Sequence, residues 1–364
     1  MPADLLIKLG VAGFFFFFIL NLAGIQTWVE RKQSALMQDR IGANRAEIFG
    51  LRIIGLFHPL ADVIKLITKE DFVPIWGDRI LHTLAPFLSV FFALATFAAI
   101  PFGPDLHAFG RIIPLQIANI DVGLLFIFGM MSLGVYGVFL AGISSRSNYA
   151  FLGSMRAAAQ LLSYEITMGM SLMGIVIVYH SLNLSQIVVA QGRLIGGFLP
   201  AWGIFLQPIA FFVFMTAALA ETKRVPFDLP EGESEIIGYF TEYSGMKFGL
   251  FFLTDFIETV LVACLVTTLF FGGWQVPFMN ETGIHFPWGA EILLPHLGTV
   301  LLGILSFMTK VIVFCWLFMT VRWTLPRFRY DQLMRLGWKM LFPISVANLF
   351  ITGVLYVWIH RIFA

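Results

Sequence analysis

Four ionisable side chains stand inside stretches that are otherwise apolar: Glu165, Asp255, Glu258 and Lys310. A charge at mid-bilayer costs about 2.5 to 3.5 kcal/mol on insertion scales, so four unpaired ones would cost roughly 10 to 14 kcal/mol. Such groups must face the interior of a helix bundle, where they pair or surrender their charge. Asp255 and Glu258 are three residues apart and share one helix face. Two carboxylates that close resist simultaneous ionisation, which suits them to carry a proton. One reading is a buried proton path, and the other is a structural ion pair between Lys310 and one acid. Residues 221–242 add Glu221, Asp228, Glu231, Glu233, Glu235 and Glu242, six acids in 22 residues. Composition alone makes that segment a solvated loop. Its position between two apolar spans, beside the buried charges, weakens this reading.

The elements that must hold these residues follow from composition. Of 364 residues, 59% are hydrophobic and 12% charged, where a soluble protein carries about 25% charged. A water-soluble globule is excluded, and an integral membrane protein is required. Stretches of bilayer length predict eight transmembrane helices over 9–29, 80–104, 122–145, 157–180, 200–220, 248–272, 293–319 and 340–360. The runs are apolar on all faces, which excludes a transmembrane barrel. The fold class is therefore all-α. Eighteen of the 23 Lys and Arg lie in the odd-numbered loops, so those loops face the cytoplasm and both termini lie outside. Residues 50–69 mix Arg52, Asp62, Lys65 and Lys69 with apolar residues at helical spacing. They predict an amphipathic helix in the interface, bent or broken at Pro59. The Phe14 to Phe18 run is either a lipid anchor or a greasy entrance beside that helix.

Several chemistries lack support. Cys264 and Cys315 are the only cysteines, each isolated in an apolar span, so no iron–sulfur or zinc motif exists. None of the seven histidines sits at mid-membrane, which argues against haem, and no phosphate-cradling glycine motif is present. The net charge of +1 gives no footprint for nucleic acid.

The segment AETKRVPFDLPEGESEIIGYFTEY at 220–243, with its PFDLPEGESE core, resembles the acidic loop of the H subunit, or subunit 1, of respiratory NADH:quinone oxidoreductase (complex I). WVERK at 28–32, ADVIKLITKE at 61–70, SNYAFLGSMRAAAQLLSYEI at 147–166, LFFGGW at 269–274 and RWTLPRFRYDQLMRLGWK at 322–339 agree with it in order. The resemblance thus spans nearly the whole chain. It implies a multi-pass subunit in a bacterial inner membrane, or the equivalent organellar membrane, with periplasmic termini. Spans two to six would resemble half of an antiporter. It implies a respiratory-chain translocase whose substrate is a ubiquinone-like quinone. This chain would bind no cofactor, while NADH, FMN and iron–sulfur clusters would sit in partner subunits. Those partners would be peripheral quinone-module subunits, small membrane-arm subunits and antiporter-like subunits.

Carried over by position, Glu30, Arg31, Gln38, Arg40, Asp62, Arg156, Phe227 and Glu242 would line or support the quinone passage. Glu165, Glu221, Asp228, Glu231, Glu233, Glu235 and Asp255, with Lys310, would form a proton relay. The chain departs from the family in having Ala43 for a usual proline and His58 before Pro59. Asp255 is followed by Phe256 rather than tyrosine, and Glu258 has no family counterpart. The alternatives are a related subunit of a membrane hydrogenase that uses no quinone, and a stand-alone proton-coupled transporter.

Overall fold

The apolar N-terminal run continues as one helix well beyond bilayer length, α1 over Pro2–Met37. The computed structural model describes residues 2–108, 110–196, 198–230, 232, 238–280, 283–285 and 291–363. After α1 come α2 (His58–Thr68), α3 (Arg79–Ala95), α4 (Gly123–Ser145), α5 (Asn148–Tyr179) and α6 (Leu184–Gln191). They are followed by α7 (Gly203–Leu206), α8 (Pro208–Glu221), α9 (Gly245–Phe270), α10 (His296–Thr324), α11 (Tyr330–Arg335) and α12 (Phe342–Phe363). Among the described residues, seven helical units are long and apolar enough to cross a membrane, the last formed by α11 and α12 joined through a π-helical turn. The fold is that of an all-α integral membrane protein. The strands among the described residues are short pieces in the connections that the charge asymmetry puts outside.

Two elements differ from the sequence expectation. The span expected over 200–220 arrives as two pieces, α7 and α8, which meet at Gln207 with φ −137° and ψ 58°. Pro208 has no N–H to give, and its ring disfavours helical geometry at the preceding residue. The Gln207 side chain spans the break, donating to Thr352 Oγ1 at 2.9 Å and accepting from Asn348 Nδ2 at 2.9 Å on α12. The interfacial helix expected over 50–69 begins only at His58. Pro59 starts it instead of bending it, as the residue suits a first turn. Gly50 and Gly55, with φ of 81° and 80°, turn the preceding segment out of helix. No residue of α2 is buried, and Leu60, Val63, Ile64 and Ile67 are all exposed. That surface is what a helix lying on lipid presents.

Helix α9 is the core of the bundle and packs against α1, α3, α8 and α10. Between Thr254 and Phe270 nearly all its side chains are buried, with Glu258 the exception that stays partly accessible. Elsewhere helices approach through small residues. A Cβ on Gly137 would lie 2.1 Å from Ser89 Oγ on α3, and one on Gly142 would lie 2.0 Å from Ser154 Oγ on α5. Close backbone approach through such residues is how apolar helices associate without help from the hydrophobic effect.

Candidate functional site

The C-terminal part of α1 places Glu30, 8% exposed, between two arginines. Arg224 Nη1, from the loop after α8, lies 3.1 Å from its Oε2, and Arg322 Nη1, from α10, lies 2.5 Å from its Oε1. The Arg224 guanidinium also rests 3.9 Å from the centroid of the Phe256 ring. One carboxylate thus ties α1, α10 and the acidic loop together, and a charge in such a position is tolerated because it is paired.

One residue before Arg224, the chain turns inward. Lys223 has φ 54° and is 2% exposed. Its Nζ lies 3.1 Å from Asp255 Oδ1 and 3.3 Å from Glu258 Oε2, both on α9. Burial alone would strip the ammonium of its proton, but the Glu258 and Asp255 carboxylates outweigh it and hold the amine well above its ordinary range. Glu221, the last residue of α8, is 4% exposed and faces Glu165, Glu258 and Lys223. Its Oε2 has no hydrogen-bond partner among the described residues. Glu165 on α5 is half-buried and accepts from the Ser132 hydroxyl of α4. Glu221, Asp255 and Glu258 therefore converge around one lysine, with Glu165 beside Glu221.

Other expected site residues fall into three places. Asp228 is buried and paired with Arg327 at 2.7 Å. Phe227 is not open to a passage: it is 3% exposed and stacks on Phe328 with centroids 5.5 Å apart. At the lipid-facing edge, Arg31 lies 2.5 Å from Asp62 of α2. Gln38 and Arg40 are exposed beyond the end of α1 and bond to each other at 2.7 Å. Arg156 sits 5.6 Å from the Tyr330 ring. Glu242 is half-buried, its carbonyl facing His82, whose ring stacks on Tyr243 at 3.9 Å. Burial pushes the Tyr243 hydroxyl up to about 12, against a hydrogen bond with Ser144. Glu231, Glu233 and Glu235 lie outside the described residues.

Lys310 departs from expectation. Its partner is no acid; Nζ donates to the carbonyls of Phe271 at 2.9 Å, Gly273 at 2.9 Å and Gln275 at 2.7 Å. The Trp202 ring lies 4.8 Å away. These carbonyls follow the last turn of α9, where a cation satisfies orphan acceptors and meets the negative end of the helix dipole. Gly272 and Gly273, with φ of 72° and 53°, let the backbone curl around the ammonium. All three ammonium protons are committed.

Lys223, Arg224, Arg322 and Arg327 were not singled out from the sequence. They read as topology-setting loop charges, and only the alternation of Lys223 and Arg224 with acids in the 221–228 segment signals pairing.

A family model described as NADH dehydrogenase matches residues 9–353. The chain belongs to the NADH dehydrogenase family. It is 45% identical over 351 residues to the first of the H subunits of NADH-quinone oxidoreductase in Geobacter metallireducens, covering 96% of each chain. It is 46% identical over 339 residues to the second H-type subunit of the Geobacter sulfurreducens enzyme, covering 93% of each. NADH-quinone oxidoreductase subunit 8 of Rhodothermus marinus is 43% identical over 340 residues, covering 92% of this chain and 93% of that one. In this chain, the Lys223 cluster and the Glu30 triad are built from side chains of α1, α8, α9, α10 and the loop after α8.

Proposed function

We propose that this chain is the membrane-arm subunit of a proton-translocating NADH:quinone oxidoreductase. It forms the membrane-side part of the quinone cavity at its cytoplasmic face and carries an acidic relay away from it. The observation that carries this reading is the run of buried charges from Glu30, Arg322 and Arg224 to Lys223, Asp255, Glu258 and Glu221. An inner membrane with both termini periplasmic follows from the charge asymmetry. Peripheral redox subunits would supply electrons, because this chain offers no motif for a redox group.

Reducing a quinone takes two electrons and two protons and transiently places negative charge in a low-dielectric chamber. At an effective dielectric of about 20, a unit charge shifts an acid about 4 Å away by about 4 kcal/mol, but one at about 12 Å by only about 1.4 kcal/mol. The second figure is about one pKa unit. Direct action across the subunit is too weak, and closely spaced groups that perturb one another are needed. Charge on the quinone would bias the Glu30 triad and Asp228, and the bias would pass through the 221–235 acids to Asp255 and Glu165. Arg31 and Asp62 would hold α2 against α1 at the entrance, with Gln38, Arg40, Arg156 and Glu242 lining or supporting it and the buried Phe227 supporting it from behind.

A photoaffinity quinone probe on the assembled complex tests the cavity, with labelling expected within residues 28–70 or 221–245. Absence of labelling there favours the hydrogenase-type alternative. A transporter would be active when purified alone, whereas this subunit is expected to copurify with redox subunits and be inert without them. Glu165→Gln is expected to impair proton pumping in isolated membranes. If quinone reduction and pumping both stay unaltered, the relay does not pass through that residue.

A further inference from the structure

The partly accessible Glu258 and the buried Lys223 meet within the cluster, and the family resemblance gives neither a role. From the structure, we infer that Glu258 is a second proton acceptor one helical turn from Asp255 and that Lys223 is the cation the two carboxylates share. This rests on the relay reading above and names a residue pair within it.

The geometry carries the inference in three steps. First, the Lys223 ammonium is within ion-pair reach of both carboxylates, hydrogen-bonded to Asp255 at 3.1 Å and more loosely to Glu258 at 3.5 Å. A lysine serving one structural pair would be committed to one acid, as Arg327 is to Asp228. Second, charges do not balance if every acid is ionised. Lys223 faces Asp255 and Glu258 from α9, Glu221 from α8 and Tyr239 from the loop, while Glu165 on α5 stands behind Glu221. Arg224 is near Glu258 but is already engaged with Glu30. One ammonium cannot offset so many carboxylates in a low dielectric, so the cluster retains protons. Third, Glu221 Oε2 is buried without a partner. A carboxylate oxygen left so is costly and a protonated carboxyl is less so, which puts a proton within the cluster at rest.

The transfer is a plain proton exchange. The carboxyl O–H of one α9 acid breaks as an O–H bond forms on the other, directly or through a water, and no electrons change hands. Lys223 stays protonated and shortens its contact to whichever carboxylate has just become ionised. Because i and i+3 residues lie on one face but at different depths, each exchange moves charge along α9. That is the displacement a relay needs, and a static ion pair does not provide it.

The test uses the assembled complex in sealed membrane vesicles. Glu258→Gln is expected to lower protons pumped per quinone reduced by about twofold or more and to shift the pH profile of pumping. The Lys223→Met/Glu258→Gln double variant removes one charge of each sign. If the two are only a structural pair, it restores pumping with the wild-type pH profile, and the inference is overturned. If they form a relay, assembly recovers but the pumping ratio does not. Should the single variant fail to assemble, Glu258→Asp, which keeps a carboxyl, is expected to retain pumping with a displaced pH profile; a wild-type profile there counts against the inference. The same vesicles carry the quinone photolabel. Normal labelling with unchanged pumping in Glu258→Gln overturns only this inference, while loss of labelling in the wild type overturns the proposed function.

Discussion

Among the described residues two lysines reach into the bundle, Lys223 buried and Lys310 half-buried, and they are held in opposite ways. Lys310, at the outer end of α9, gives its three protons to three backbone carbonyls. Lys223, toward the cytoplasmic end, is shared by two carboxylates with a third acid beside it. Neutral carbonyls cannot take up a proton, so the acceptors around Lys310 hold the chain in place without changing charge. Carboxylates can, so the inner site can change charge. The nature of the acceptor, and not burial of the lysine, separates a clamp from a switch.

Removing the clamp should have the largest effect. Lys310→Met leaves three buried carbonyls unpaired, at about 1 to 3 kcal/mol each. The expected outcome is a complex that loses this subunit on detergent extraction or mild heating, read by native gel and thermal unfolding. If Lys310→Met assembles and melts like the wild type, the contrast between the two lysines fails. Lys223→Met comes next, since breaking a buried pair costs about 3 to 5 kcal/mol and the carboxylates left behind can recover part of this by binding protons. Here pumping should fall further than assembly.

The pH dependence of Lys223 has a definite sign. Its folded value is raised above the ordinary 10.5, so its stabilisation is fully present below that pH and is lost only as pH rises through the raised folded value. The Lys223 contribution to thermal stability is therefore expected to be flat through neutral pH and to fall only in strong alkali. A decline near neutrality would mean that another group governs the site.

A smaller loss is expected for Gly273→Ala, whose Cβ would lie 2.6 Å from Val188 Cγ2 at a backbone φ of 53°. The cost should be about 1 to 3 kcal/mol in the same melting assay, with pumping per electron preserved in whatever complex remains. Arg52→Ala is the counterexample. Arg52 and Glu47 form an ion pair at 3.0 Å, but both side chains are about half exposed, at 54% and 48%. Loss of such a pair is worth about 0 to 1 kcal/mol, and no change in melting or pumping is expected.

Legibility in the sequence followed the same divide. Lys310 stands out because a charge in a long apolar run is conspicuous in one dimension, yet of the two readings it allowed, the ion pair with an acid gives way to three backbone carbonyls. A lysine can be satisfied by carbonyls released at a helix end, and no residue type announces those. Lys223 and Arg224 passed as loop charges because they follow the last apolar residues of α8. Their partners lie 32 and 194 residues away, which spacing along the chain cannot reveal. Phe227 and Asp228 were found through the PFDLPEGESE motif, but whether they face a passage or the packed core was a matter of how α10 and α11 close over them.

The sequence by itself determined that the chain lives in a bilayer, that its basic residues gather in alternate loops, where the acids concentrate and to which family the pattern belongs. These are properties of composition and order, because hydrocarbon rejects charge and unpaired backbone wherever the chain folds. Only the tertiary structure decided which base serves which acid, that the fifth span breaks at Gln207, and that one lysine clamps carbonyls while the other is shared between carboxylates. Pairing energies fall steeply with distance in a low dielectric, so the ångströms set by helix packing assign the partners.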